Sequence, residues 1–167
     1  IDQLRQVGEA RRGWLGVASL TTRPRFADDS RETFAAVLDT CERIAREKFA
    51  PANRTADVQE PHFDGECVHL PESTRAASDA YVASGMLAAA QDYDLGGMQL
   101  PCVIEMAANS FFAKAGIGLG GHMLTSGNAN LLMAHGTEAQ RRVFAHQEFS
   151  GRFFGTMCLS EPQAGSS

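Results

Sequence analysis

The sequence has no excess of basic charge. Its 167 residues carry 15 Lys and Arg against 20 Asp and Glu, so the formal net charge is −5. Proteins with a general surface for polyanions usually carry a basic excess, so we expect no nucleic-acid partner. An anionic cofactor held by backbone amides is not excluded, because that kind of site needs no net positive charge.

Cysteine is scarce and shows no C-x-x-C motif. The four cysteines are widely spaced, at Cys41, Cys67, Cys102 and Cys158. Small disulfide scaffolds are denser in cysteine, so we expect reduced thiols in a cytoplasmic protein. His62, Cys67 and His69 have no fourth partner at a familiar zinc-ligand spacing, so we expect no metal site.

The sequence also lacks a long apolar run and any internal repeat. No apolar stretch reaches the ~18 residues that a membrane span needs, so we expect no membrane association. No basic region followed by an apolar stretch opens the chain, so we expect no signal peptide. The first residue is Ile1 rather than Met, and we therefore expect further residues before it.

Helical periodicity is the strongest positive signal. Apolar residues recur at three and four positions between Phe34 and Phe49, which predicts a long amphipathic helix. Asp29 and Glu32 have the spacing of a capping box for its start. Pro51 predicts its end, and a polar loop follows to about Leu70.

Four further helices and one strand are predicted after that loop. The helices are expected near residues 71–91, 101–115, 122–136 and 138–149. Gly136 marks the end of the fourth helix, and Thr137 and Gln140 have capping-box spacing for the fifth. The run Phe153–Leu159 has the texture of a strand, so the fold class is mainly α with a β element at its end.

Three motifs carry competing interpretations. Gly116–Gly121 matches G-x-G-x-x-G but follows a helical pattern, which favours an interhelical loop over a dinucleotide site. His135 sits at a helix end, where a cap of the helix dipole is the simpler role. Ser160 and Glu161 are neighbours on a predicted strand and point to opposite faces, so serine-hydrolase chemistry is not expected.

The stretch MCLSEPQAGSS combines features that suit a ligand. A strand edge offers backbone groups, Ser160 adds a hydroxyl and Pro162 fixes a turn. Gly165 and Ser166 allow close backbone approach beside a second hydroxyl. Such a set can hold a planar ring with polar edges and a phosphate. The alternative is an ordinary strand and turn.

The same stretch resembles a family signature. CLSEPQAGSS is similar to the first signature of the acyl-CoA dehydrogenases up to Ser166, and departs from it at Ser167, where the family usually has Asp. YDLGGMQLP resembles the family's Gly-Gly turn, and LLMAHGTEAQRRVF resembles its helix–Gly–Thr passage. GRFFGTMCLSEP resembles the larger, extended branch. The resemblance runs from about Phe34 to the end.

The resemblance implies a domain organisation. Residues 1–33 would be an N-terminal extension, 34–150 the family's N-terminal helical bundle domain, and 151–167 the start of its middle β-domain, ending at the first strand. The family's C-terminal helical domain, which holds the catalytic Glu in most members, would be absent. We therefore expect no catalytic residue within this chain, and Glu161 would belong to the flavin side.

The resemblance also implies chemistry and partners. Family members bind FAD, oxidise acyl-CoA thioesters to trans-2-enoyl-CoA, and usually pass electrons to an electron-transfer flavoprotein. They are commonly homodimers or homotetramers. Residues that would line the flavin are Met157, Cys158, Leu159, Ser160, Gly165 and Ser166. Ser160 would lie near the reactive edge of the ring, and Ser166 would serve the cofactor or the CoA side.

The helix HMLTSGNANLLMAHG lies where the family lines its acyl cavity. By spacing, Met123, Leu124, Gly127 and Asn128 share one of its faces. That face would contact the acyl chain, or it would pack against the neighbouring helix. A mid-helix glycine lowers helix stability by about 1 kcal/mol relative to alanine, and a void beside the missing side chain is one reason to keep it. Gly127 therefore favours a pocket.

Two other functions stay open at this point. One is a flavin-binding relative without dehydrogenase activity, of the alkylation-response branch. The other is a helical interaction module without a cofactor. A Glu facing flavin N5 in a C-terminal domain would separate the first from a dehydrogenase, and a yellow protein would separate both from the module.

Overall fold

The computed structural model describes residues 16–116, 120–156, 158 and 160–163. The chain divides into two compact units, the first up to Leu119 and the second from Gly120. The fold is mainly helical, as the sequence predicts. Within the described ranges, every helix is too short or too polar to cross a membrane.

The described part of the first unit contains short 3-10 turns, Val17–Thr22 and Pro24–Phe26, followed by helix α1, Arg31–Ile44. The predicted capping pair was wrong by one residue. Ser30 is the N-cap: its Oγ accepts from the Thr33 amide at 3.1 Å, and the Thr33 hydroxyl accepts from the Ser30 amide. The Ser30 and Thr33 hydroxyls thus form the capping box one residue later than the predicted Asp29–Glu32 pair.

Pro51 does not end this helical run, contrary to the prediction. Helix α1 continues through a π-helical segment, Ala45–Phe49, into helix α2, Ala50–Val58. The Ala50 amide bonds to the Ala45 carbonyl across five residues, so the turn before Pro51 is wider than an α turn. Proline lacks an amide hydrogen and sits at the start of α2, where it is tolerated.

The predicted loop after α2 contains a small antiparallel hairpin. Strand β1 is His62–Phe63 and β2 is Val68–His69, with His62 opposite His69. Asp64 holds the turn, since its carboxylate accepts from the Glu66 and Cys67 amides, each at 2.8 Å. Those bonds, together with one to His69, lower the pKa of Asp64 to about 2.

Helices α3, Glu72–Ala83, and α4, Cys102–Ala115, complete the first unit. Short 3-10 turns, Met86–Ala88 and Tyr93–Leu95, lie between them. Gly96 there has φ +77°, which favours glycine. At Gly97 an added Cβ would lie 2.1 Å from the Gln91 carbonyl oxygen, so this position has no room for a side chain.

Aromatic rings fill the core of the first unit. Phe112 lies 4.9 Å, centroid to centroid, from both Phe49 and Tyr81. The buried Tyr81 hydroxyl donates to Asn109 Oδ1 at 2.9 Å. Cys41 is buried beside this core, and burial raises its pKa to about 11. All four thiols are free, and the three exposed ones are Cys67, Cys102 and Cys158.

The second unit begins with helix α5, Gly120–His135. Gly136 ends it, with its amide bonded to the Leu132 carbonyl. Then come α6, Glu138–Gln140, a π-helical segment, Arg141–Ala145, and α7, His146–Phe149. The Thr137–Gln140 capping box is confirmed, since the Thr137 hydroxyl accepts from the Gln140 amide and the Gln140 side chain from the Thr137 amide.

The predicted strand Phe153–Leu159 is not assigned as a strand at its described positions. Met157 and Leu159 lie outside the described residues. A strand is recognised by hydrogen bonds to a neighbouring strand, and the described part of the second unit supplies none there. The strand, and with it the start of a middle β-domain at residue 151, stays a prediction.

Candidate functional site

The two sides of helix α5 differ in burial. His122, Thr125 and Ala129, spaced by three and four, are buried. Met123 and Leu124 are 47% and 38% exposed. Polar groups lie on the buried side of this helix and apolar groups on its open side. The helix therefore lacks the usual arrangement of an apolar buried face and a polar exposed face. Those buried polar groups need hydrogen-bond partners.

Two hydrogen bonds join this side of α5 to the chain that follows. Asn128 Nδ2 donates to Glu148 Oε1 at 2.6 Å, and the Gly155 amide donates to Thr125 Oγ1 at 3.0 Å. Glu148 and Thr125 are 5% and 0% exposed. These four residues, Thr125, Asn128, Glu148 and Gly155, are called the tether cluster below. Both of its hydrogen bonds join α5 to segments close to the signature.

Gly155 lies directly on α5. A Cβ built there would lie 3.1 Å from Asn128 Cβ, 3.2 Å from Thr125 Cα and 3.3 Å from Glu148 Oε1. The ring of Phe154 meets the ring of buried His122 edge-on, with centroids 5.9 Å apart. The chain that enters MCLSEPQAGSS is therefore fixed against α5 by close backbone approach and by a hydrogen bond.

Glu148 is the unusual member of the tether cluster. Its Oε1 accepts from Asn128, while its Oε2 is buried without a hydrogen-bond partner among the described residues. A buried carboxylate oxygen without a donor costs free energy, on the order of 1–3 kcal/mol. Sequence reasoning missed Glu148. The signal in the sequence was a charged residue between the apolar residues Ala145 and Phe149, and the structure buries all three.

The predicted flavin-facing residues are only partly described. Cys158 and Ser160 are exposed, so their polar groups are open to a ligand. Met157, Leu159, Gly165 and Ser166 lie outside the described residues. The contribution of all six to a cofactor site stays a prediction.

The predicted substrate-facing residues do not form one set. Met123, Leu124 and Gly127 are exposed, and among the described residues no heavy atom outside the backbone of α5 lies within 4 Å of a Cβ built at Gly127. Asn128 is instead half-buried, with its amide bonded to Glu148. The open apolar face is thus limited to the first three residues, and its contact with an acyl chain stays a prediction.

Other candidate motifs have local roles. His69 pairs with Asp64 Oδ2, and the rings of His62 and His69 stack with centroids 6.5 Å apart. No cluster of potential metal ligands exists within the described ranges. Gly116 caps α4, so a helix and not a strand precedes G-x-G-x-x-G; residues 117–119 of the motif lie outside the described residues. His135 lies in the last turn of α5, at the helix end that the sequence predicts, and its role as a cap of the helix dipole stays a prediction.

Comparison with known proteins gives consistent similarities. Residues 31–152 match the family model described as "Acyl-CoA dehydrogenase, N-terminal domain". The chain is 33% identical to 3-methylmercaptopropionyl-CoA dehydrogenase of Ruegeria pomeroyi, over 92% of the chain and 26% of that protein. It is 30% identical to the broad-specificity linear acyl-CoA dehydrogenase FadE5 of Mycobacterium tuberculosis, over 91% of the chain and 25% of that protein.

A butyryl-CoA dehydrogenase of Syntrophomonas wolfei is 27% identical, over 98% of the chain and 28% of that protein. The chain thus spans about a quarter of the length of these relatives. The family model covers most of the described helices, from α1 to α7. On this match, the chain belongs to the acyl-CoA dehydrogenase family and corresponds to its N-terminal domain.

Proposed function

We propose that this chain serves as the N-terminal domain of a longer, FAD-dependent acyl-CoA dehydrogenase that oxidises an acyl-CoA thioester to a trans-2-enoyl-CoA. The observation that carries the proposal is the tether cluster. It joins the entry to the signature, at Gly155, to helix α5, whose open side presents Met123 and Leu124. A segment suited to a cofactor and a face suited to an acyl chain therefore belong to one compact unit.

The residues fit a bound flavin. Cys158 and Ser160 are exposed, so backbone groups and a hydroxyl are available beside the turn at Pro162. FAD would supply the redox chemistry of the reaction. In this proposal Ser160 donates a hydrogen bond to the ring system, and Met157, Leu159, Gly165 and Ser166 complete the same surface. The protein's contribution here is to bind and orient the cofactor.

The open face of α5 fits an apolar substrate. Met123 and Leu124 would contact the acyl chain, and Gly127 would leave space for it. The proton at the substrate α-carbon needs a base, and we assign none of this chain's residues to that role. An electron-transfer flavoprotein as acceptor, a homodimer or homotetramer, and a cytoplasmic location complete the proposal by family membership.

The first test is spectroscopic. The longer protein that contains this chain should purify yellow and reduce a dye in the presence of acyl-CoA, whereas the 167-residue chain alone should not turn over substrate. Ser160→Ala should weaken flavin binding about 5- to 30-fold if the bond is worth about 1–2 kcal/mol. Ser19→Ala, at an exposed serine in the first unit whose hydroxyl also donates one hydrogen bond, is the matched control. A colourless longer protein would refute the proposal.

The second test concerns the acyl chain. In the longer protein, Gly127→Leu should reduce activity on long acyl-CoAs more than on short ones, since the added bulk enters open space. Gly127→Ala is the control, because it adds one methyl group. An equal loss at all chain lengths would mean that this face does not contact the acyl chain.

A further inference from the structure

We propose that Glu148 is a positioning residue for the signature: through its hydrogen bond to Asn128 it fixes the backbone at Gly155 against α5, and so sets where Ser160 faces the cofactor. The inference rests on the proposed function, since it concerns the same cofactor surface. Glu148 does not touch the cofactor in this proposal and acts only through its neighbours.

The chain path after Glu148 is the first argument. Helix α7 ends at Phe149, and Gly151 follows with φ +72°. The Gly151 amide bonds to the Glu148 carbonyl, and the amides of Arg152 and Phe153 both bond to the Gln147 carbonyl. This left-handed turn ends the helix and leads the chain to Gly155, which lies beside the Glu148 side chain.

The geometry at Gly155 is the second argument. A Cβ at that position would lie 3.3 Å from Glu148 Oε1, the same oxygen that accepts from Asn128. The carboxylate oxygen that accepts from Asn128 therefore also borders the position of Gly155, next to Asn128 Cβ. A rotation of the Glu148 carboxylate, which its bond to Asn128 opposes, would change the surface beside Gly155.

The choice of side chain is the third argument. A leucine would fill similar space without the cost of burying a carboxylate. It could not accept the Asn128 hydrogen bond, whose donor and acceptor are 2.6 Å apart. An acceptor for the Asn128 amide is therefore what Glu148 provides at this buried position and leucine would not.

The test exchanges donor and acceptor across this pair. Asn128→Asp brings two carboxylates into contact and should break the pair. Asn128→Asp combined with Glu148→Gln restores one donor and one acceptor in the reverse direction. Glu148→Gln alone keeps an acceptor for Asn128 and is the variant most certain to fold.

Two quantities are measured for each variant. The first is hydrogen exchange at the Gly155 amide in this chain, which reports the bond to Thr125 Oγ1. The second is flavin affinity in the longer protein; substrate affinity is not used, because Asn128 was also predicted to face the substrate. Asn128→Asp should raise the exchange rate and the flavin Kd about tenfold, and the double variant should return both to within about threefold of wild type.

Tyr81→Phe is the control for a general loss of stability. It removes a buried hydrogen bond in the first unit and leaves the tether cluster intact. It should leave the Gly155 exchange and the flavin Kd unchanged in native conditions. Equal losses in this control, or no recovery in the double variant, would overturn the inference. So would a tenfold loss with Glu148→Gln, because that variant keeps the acceptor.

The two proposals fail in different ways. If the wild-type longer protein binds no flavin, the proposed function fails while the exchange measurements still report whether Glu148 holds Gly155. If flavin binds but Asn128→Asp changes neither its Kd nor the Gly155 exchange, the proposed function stands and the role of Glu148 is refuted.

Discussion

Two glycine-to-alanine substitutions in the second unit should change stability in opposite directions. Gly127 lies inside α5, and apart from the helix backbone no described residue has a heavy atom within 4 Å of a Cβ built there. Alanine there removes the helix penalty of glycine and adds no clash, so the free energy of unfolding should rise by about 1 kcal/mol. Gly155 has three atoms within 3.3 Å of a built Cβ, one of them backbone. Alanine there should lower the free energy of unfolding by about 1–3 kcal/mol.

Urea unfolding followed by far-UV circular dichroism measures both changes. The only tryptophan, Trp14, is outside the second unit, so its fluorescence would not report on the glycines. With a slope of about 2 kcal/mol per M, the midpoint should rise by about 0.5 M for Gly127→Ala and fall by about 1 M for Gly155→Ala. Midpoint changes of the same sign would refute the assignment of open space to Gly127 and close contact to Gly155.

Three further outcomes are expected in the first unit. Gly97→Ala should prevent folding or lower the free energy of unfolding by more than about 3 kcal/mol, since its Cβ would overlap the Gln91 carbonyl; an unchanged urea midpoint would contradict the turn. Cys41 should resist alkylation at mildly alkaline pH until the chain unfolds, because burial raises its pKa to about 11, while the three exposed thiols react at once; rapid reaction of all four would contradict its burial. The pKa of Asp64 is lowered to about 2, so the stability that its carboxylate gives the hairpin is present above its ordinary pKa and lost as pH falls from about 4 to 2. Amide hydrogen exchange at Cys67, whose amide donates to Asp64, should become faster in that pH range. Asp64→Asn should remove this pH dependence.

The helices were predictable because their signals are local. Apolar spacing placed α1, and the sequence placed α4 and α5 close to their observed bounds. Helix α3 begins where it was predicted but ends at Ala83, eight residues before the predicted end at Gln91, because Gly85 leads the chain into a 3-10 turn. The capping box at Thr137 and Gln140 involves residues three positions apart, so sequence alone was enough to find it. The family signature was also visible as a contiguous string.

The errors have physical causes at particular residues. Pro51 was expected to end α1, but a π turn just before it accommodates the ring. The cap was expected at Asp29, but a hydroxyl pair at Ser30 and Thr33 forms instead. The hairpin of His62–His69 was missed because strands of two residues give no periodic pattern.

The sequence by itself determined the helical fold class, the positions of the main helices and the signature that indicates the family. Only the tertiary structure decided which side of α5 is buried and which groups meet there. Thr125, Asn128, Glu148 and Gly155 are up to 30 residues apart in the chain, and their contacts form only when α7 packs beside α5. Burial and hydrogen bonding depend on what covers a side chain, and residue type and spacing do not specify that cover.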